Sequence, residues 1–188
     1  MVQSSGSKKT VRNSDELKMI KAVRKHPKAF GELYNLYVEK VYRYLYSRVG
    51  SVPDAEDLTA QTFLAAFESF DNFREDDHFA AWLFTIARNK AMDHFRRRDI
   101  SISLHHVMDK STGSDPLTPL IQSEQLTALT KLIKTLPEDD RELLRLRFLA
   151  ELSFPEIARF LQRNEEAVKK SVYRLLARLR NQLEGSNE

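Results

Sequence analysis

The chain contains no cysteine among its 188 residues. That excludes disulfides, thiolate zinc sites and a cysteine nucleophile. Glycine is scarce, five in all, and no two lie close enough to build the glycine-rich loop that cradles phosphates in nucleotide-handling enzymes. No apolar run approaches the roughly 20 residues needed to span a bilayer, so no direct membrane insertion is expected. The first residues, Met-Val-Gln-Ser-Ser-Gly-Ser-Lys-Lys, lack the apolar centre of a signal peptide, which points to the cytoplasm. Nowhere do apolar and polar residues alternate for long enough to suggest a sheet. What remains, with 41% hydrophobic residues, reads as an ordered, mostly helical protein.

The net charge of +3 is small, and its distribution carries more information than its size. Between residues 54 and 77 stand Asp54, Glu56, Asp57, Glu68, Asp71, Glu75, Asp76 and Asp77, against the single base Arg74. Between 88 and 98 stand Arg88, Lys90, Arg96, Arg97 and Arg98, against the single acid Asp93. One surface therefore suits a basic protein partner and the other a polyanion.

Residues 1–12 read as a flexible tail. Asn13-Ser14-Asp15-Glu16 offers a helix start, and that helix should run to about Lys25. Pro27 marks a restart, after which Phe30, Leu33, Tyr34, Tyr37, Val38, Val41, Tyr42 and Leu45 recur at helical spacing until Gly50. Ser51-Val52-Pro53 opens a third helix, with proline at its start, and a fourth begins near Asp77. From 99 to 119 serines, Gly113, Pro116 and Pro119 accumulate and periodicity is lost, a linker signature. A linker of about 20 residues argues for two domains, 13–98 and 120–184. The fold class is all-α: two small helical domains, the second with four helices.

Within the second domain, Ser153-Phe154-Pro155-Glu156 is a capping box ahead of a short helix. A turn at Gln162-Arg163-Asn164 and a longer helix follow, which are helix-turn-helix proportions. On a wheel at about 100° per residue, Val168, Val172, Leu175, Leu176, Leu179 and Leu183 form one stripe. Lys169, Lys170, Tyr173, Arg174, Arg178 and Arg180 lie opposite, where they can meet phosphates and base edges in a major groove. A solvated charged face is the plain alternative, and the short helix and turn before it weigh against that.

Both halves resemble bacterial RNA polymerase sigma factors of the compact extracytoplasmic-function (ECF) group. In the first half the matching residues are Phe30-Gly31-Glu32-Leu33-Tyr34, Asp54-Ala55-Glu56-Asp57-Leu58 with Gln61-Thr62-Phe63, Phe73-Arg74, Trp82-Leu83 and Ile86-Ala87-Arg88-Asn89. In the second they are Leu136-Pro137-Glu138, the run from Leu152 through Ala158, and Ala167-Val168-Lys169. The likeness covers residues 15–184, and the order and spacing of the motifs make it specific.

The resemblance implies a transcription initiation factor, not an enzyme, that needs no cofactor and directs core RNA polymerase to promoters. Asp54, Glu56, Asp57 and Gln61 would dock on the clamp coiled coil of the polymerase, with a further contact to its flap. Carboxylates there also cap their own helix, and for Asp54 alone capping suffices. Asn72, Phe73 and Arg74 in the loop, with Arg88, Asn89, Lys90 and Arg96 on the next helix, would recognise and melt the minus-ten element. Phe73 is equally suited to stacking on an unpaired base or to plugging the core, and Trp82, grouped with Phe79, Leu83 and Ile86, suits the core. Lys169, Lys170, Tyr173, Arg174 and Arg178 would read the minus-thirty-five element. Glu166-Ala167, Lys170-Ser171 and Gln162 depart from the usual family pattern, so base preference does not carry over. Glu165 and Glu166 place negative charge where DNA would approach, which either biases readout toward cytosine or caps the last helix, with capping the favoured use. The resemblance also implies control by an anti-sigma factor that clamps the two halves in a closed arrangement.

Two other classes compete. An autonomous helix-turn-helix regulator needs only the second half and leaves the acidic helix unexplained. A magnesium-dependent nucleic-acid enzyme would have to use the carboxylates of 71–77. His105-His106 are adjacent rather than one helical turn apart, which is poor metal-ligand spacing.

Overall fold

A computed structural model describes residues 5–74, 78–104 and 124–184, with side chains for 15–74, 78–98 and 128–184. The described residues form eight α-helices and no strand. In chain order these are α1 (Ser5–Lys25), α2 (Phe30–Val49), α3 (Val52–Glu68), α4 (Phe79–Leu104), α5 (Glu124–Thr135), α6 (Glu138–Leu144), α7 (Phe154–Leu161) and α8 (Glu165–Glu184).

The punctuation follows local chemistry. Pro27 sits in a 3-10 turn that separates α1 from α2. Gly50 ends α2 in the left-handed conformation at φ 69°, where its N–H donates to Tyr46 O at 2.8 Å, as a residue without Cβ does readily. The side chain of Ser51 then caps α3, with Pro53 in the first turn where a missing N–H is harmless. Of the periodic positions of α2, Phe30, Leu33, Tyr37, Val41 and Leu45 are buried, Val38 and Tyr42 are half-buried and Tyr34 is exposed, while Tyr44, outside that series, is buried as well. In α3 the buried Thr59 and Thr62 return their hydroxyls to Ala55 O and Leu58 O at 2.6 and 2.7 Å, so neither is left unsatisfied. Ala80, Ala81, Ala87 and Ala91 are buried along α4; their small side chains let that helix lie close to α2 and α3.

Two boundaries differ from expectation. Helix α1 begins at Ser5, so residues 5–12 are helical rather than a tail. They carry no apolar period, and a helix nucleated further along extends through them at little cost. Helix α4 continues to Leu104, past the basic run, so no linker starts before residue 105. The rest of the expected linker, His105-His106 included, lies outside the described residues.

In the second half α6 opens on Glu138, Asp139 and Asp140, acids favoured by the helix dipole. It widens into a π-type turn over Arg145–Leu149, where Ala150 N–H reaches back five residues to Arg145 O at 2.9 Å. Glu151 follows with φ 57°, in the left-handed region although it is not glycine. Glu156 accepts from Ser153 N–H at 2.5 Å, closing one side of the capping box of α7. At the other end of α7, Gln162 takes φ 52° while Arg163 N–H donates to Ala158 O at 2.9 Å, a Schellman-type stop.

The two halves share one apolar core: buried residues of α2 and α4 run on into Leu143, Leu146, Ile157 and Phe160. Helix α4 packs on α7, and α2 packs on the π-type turn.

Candidate nucleic-acid and protein interfaces

On α3, Glu56 and Asp57 are exposed and Asp54 and Gln61 are half-buried. Gln61 donates its side-chain amide to Asp57 at 2.7 Å, so these two project from one face, a turn apart. Asp54 is already engaged, with its carboxylate 3.8 Å from His94 Nε2 on α4 and its N–H bonded to Ser51 Oγ at 3.4 Å. Asp54, Asp57 and Gln61 face Lys90, His94, Arg97 and Arg98 of α4 across an open cavity of about 960 Å³, with Lys134 of α5 at its edge. Acids of α3 and bases of α4 thus face one another across this cavity, with His94 and Asp54 the pair that approach at 3.8 Å.

That division separates residues which the sequence groups together. Lys90 lines the acidic cavity, whereas Arg88 and Thr85 face α7. Asn89 is exposed, and Arg96 is exposed while paired with Asp93 at 3.0 Å. The Arg88 guanidinium lies 4.6 Å over the ring of Phe160 from α7, and its Nε is buried without a hydrogen-bond partner.

In the loop before α4, Asn72 and Arg74 are exposed and Phe73 is only 2% exposed. The Phe73 ring packs on Phe70, Phe79 and Trp82 at centroid distances of 6.0, 5.5 and 5.2 Å. Arg24 of α1 donates to Phe73 O at 2.7 Å and pins the loop from the other side. Of the two uses open to Phe73, the core plug is the one seen, and its face is not offered to a base in this arrangement. Burying such a ring stabilises by about 1.5–3 kcal/mol, which favours the inward position. Trp82 is half-buried in the same aromatic cluster, as its neighbours suggested. Residues 75–77 lie outside the described residues.

Helix α8 buries Val168, Val172, Leu175 and Leu179 and exposes Lys170, Tyr173, Arg174 and Arg178. Lys169 is half-buried, 3.9 Å from Glu166, and the Tyr173 ring leans on Phe154 at 5.9 Å. Arg178 is bonded to Asp140 of α6, so it braces the second half as well as facing outward. Asn164 Oδ1 accepts from Glu166 N–H at 2.9 Å, which is the capping role expected of this segment.

One cluster was not anticipated. Tyr44 of α2, fully buried, donates its hydroxyl to Glu142 of α6 at 2.7 Å. Arg48 Nη1 meets the other Glu142 oxygen at 2.5 Å and also bonds the Tyr44 oxygen at 3.0 Å. Burial first, and the Glu142 charge next, push the Tyr44 hydroxyl far above the ordinary tyrosine range, so it remains a donor. Nearby, Glu151 pairs with Lys40 at 3.2 Å and Arg43 at 3.1 Å. The signal available in the sequence was a Lys and an Arg falling among the apolar positions of α2. Among the described residues no group of three or more His, Asp or Glu is arranged to hold a metal ion, and no helix is long and apolar enough to cross a membrane.

Comparison with known proteins accounts for both halves. The Sigma-70 region 2 family matches residues 33–100, and Sigma-70, region 4 matches 126–179. The ECF RNA polymerase sigma factor BldN of Streptomyces coelicolor is 37% identical over 175 residues, covering 89% of this chain and 66% of that protein. The ECF RNA polymerase sigma factor SigW of Bacillus subtilis is 29% identical over 178 residues, covering 88% of this chain and 95% of that one. Among solved structures, CnrH in complex with the cytosolic domain of CnrY aligns with a TM-score of 0.63 at 25% identity, over 90% of this chain and 97% of that one. The sigma factor RpoE of Bartonella quintana, solved with the anti-sigma factor NepR, aligns with a TM-score of 0.63 at 26% identity, over 84% of this chain and 98% of that one. An acidic face on α3, a basic helix with an aromatic-backed loop and a helix-turn-helix thus occur here in the family's own order, and the chain belongs to the ECF group of bacterial RNA polymerase sigma factors.

Proposed function

We propose that this chain directs core RNA polymerase to a two-part promoter through three separate surfaces. Asp54, Glu56, Asp57 and Gln61 dock on a basic helical surface of the polymerase, with Glu56 and Asp57 the exposed members and Asp54 shared with His94. Asn72, Arg74, Asn89 and Arg96 meet the minus-ten element, joined by Arg88 once Phe160 is removed from it; Lys90 serves the α3 side and Phe73 holds the loop from within. Lys169, Lys170, Tyr173, Arg174 and Arg178 meet the minus-thirty-five element from the outer face of α8. The chain works in the cytoplasm beside the polymerase, and its chemistry is recognition and strand opening, with no catalytic step of its own.

The observation that carries this reading is the pairing of surfaces: one chain offers exposed carboxylates on α3 and an exposed cationic face on α8. Surface charge of opposite sign at two places suits a bridge between a basic protein and a nucleic acid. CnrH was solved with the cytosolic domain of CnrY and RpoE with the anti-sigma factor NepR, which supports control of this chain by an anti-sigma factor as well.

Run-off transcription with sigma-free core polymerase and a library of upstream fragments tests the function. Protein-dependent transcripts sharing a two-part motif are expected. No initiation, together with a gel shift of duplex DNA by the protein alone, would replace this reading with an autonomous regulator.

A further inference from the structure

Helix α1 carries a charge that none of the three surfaces uses. From residue 17 to residue 31 there are five bases, Lys18, Lys21, Arg24, Lys25 and Lys28, and no acid. The stretch precedes residues 33–100, which the Sigma-70 region 2 family matches. Ile20 and Val23 are buried and fix the side of α1 that packs on α2. At about 100° per residue Lys18, Lys21 and Lys25 fall on the opposite side, and all three are exposed, as is Lys28 in the 3-10 turn that follows. Lys18 is paired with Asp15 at 3.0 Å, whereas no described acid pairs with Lys21, Lys25 or Lys28. The helix dipole favours bases in a last turn, which accounts for Arg24 and Lys25 but not for Lys21 or Lys28.

The place of these lysines is specific. Arg24 Nη2 donates to Phe73 O at 2.7 Å, so α1 lies directly against the loop that presents Asn72 and Arg74. Phe73 is held beneath that loop by Phe70, Phe79 and Trp82, which keeps the junction rigid. Helix α4 leaves from the far end of the loop and packs on α2 and α3, while α1 meets the loop from its own side of α2. Lysine is a point charge on a flexible stem, which suits phosphate in many geometries and reads no base.

We propose that Lys21, Lys25 and Lys28 form a further DNA-binding site, a track for the phosphates of the single strand that leaves the opened minus-ten element on the α1 side of the loop. Lys21 and Lys25 stand one helical turn apart, about 6 Å along the axis, and Lys28 extends the line past the helix end. A strand parted from its complement re-anneals unless it is held. A row of lysines holds it by charge and leaves its bases to the loop. The contact is independent of sequence and sensitive to salt, so α1 contributes to the lifetime of the opened promoter and not to the choice of promoter. The site rests on the reading that Asn72 and Arg74 meet the minus-ten element.

Forked promoter templates test the site, with holoenzyme made from the full chain and core polymerase and with the motif that run-off transcription supplies. The non-template strand ends either at the last base of the minus-ten element or about ten nucleotides further, within the length that a single-strand groove covers. Lys21→Gln with Lys25→Gln and Lys28→Gln is expected to bind the short fork as the unaltered chain does. On the long fork it is expected to bind about tenfold more weakly at low salt, with the slope of log K against log salt reduced by about 2, the value for three single-strand phosphates. The corresponding triple Lys→Arg variant is expected to restore both. Equal binding of the long fork by the Gln variant and the unaltered chain overturns the site. Equal loss on both forks overturns it too, because the lysines would then face polymerase or duplex DNA. If the unaltered holoenzyme binds a fork with a scrambled minus-ten element just as well, the minus-ten reading of the loop fails and the site falls with it. That outcome is distinct, because it appears before any lysine is changed.

Discussion

Single residues here carry costs and gains that the burial pattern alone does not reveal. Gln162 stops α7 at φ 52°, in a conformation that costs an ordinary L-residue about 1–2 kcal/mol. Gln162→Gly is expected to raise stability by about 1 kcal/mol or less, since glycine also gains freedom in the unfolded chain; the midpoint of urea unfolding checks this. A fall in the midpoint would mean that the Gln162 side chain contributes more than its backbone costs. Tyr44→Phe keeps the ring against Phe84, now 5.3 Å away and edge-on, but strips a donor from Glu142. It is expected to cost about 1–3 kcal/mol, the penalty for leaving a buried acceptor short of a partner. The family resemblance marked Gln162 as a departure from the usual pattern of the turn. Tyr44 lies outside the apolar series read from the sequence, and its partner is 98 residues away.

At the level of elements, the sequence displays α2, α3, α7 and α8 well, since each has a periodic stripe and a start or stop signal of its own. The helix-turn-helix and the outward residues of α8 emerge from spacing alone, and the buried Val168, Val172, Leu175 and Leu179 agree with the wheel. Element ends are less legible: α1 and α4 extend beyond their stripes, where propagation rather than pattern sets the limit. Two predictions belong here. Arg174→Ala on α8 is expected to weaken promoter binding by polymerase holoenzyme and to lower the slope of log K against log salt by about 1, the signature of one lost phosphate contact. Titration at three or more salt concentrations measures it, and an unchanged slope would remove Arg174 from the interface. Asp57→Ala on α3 is expected to weaken co-purification with core polymerase several-fold and to leave the thermal stability of the free chain nearly unchanged, because Asp57 is exposed. Unaltered co-purification would move the docking site away from α3.

For the molecule as a whole, the shared core and the Glu142 cluster join the halves into one cooperative body. Thermal unfolding of the chain is expected to be a single transition by both near- and far-ultraviolet circular dichroism, and Glu142→Gln is expected to separate it into two. Coincident single transitions in both proteins would show that apolar packing alone couples the halves. The sequence by itself determined the helical class, the two-part organisation, the family, and the chemistry of the exposed faces on α3 and α8. It could do so because periodicity, capping and local charge are properties of neighbours along the chain. Only the tertiary structure decided that Phe73 points into the core, that Lys90 and Arg88 serve opposite sides of α4, and that Glu142 and Glu151 bind one half to the other. Those outcomes depend on which surfaces meet across long stretches of chain, and a buried charge finds its partner only when the fold brings the two together.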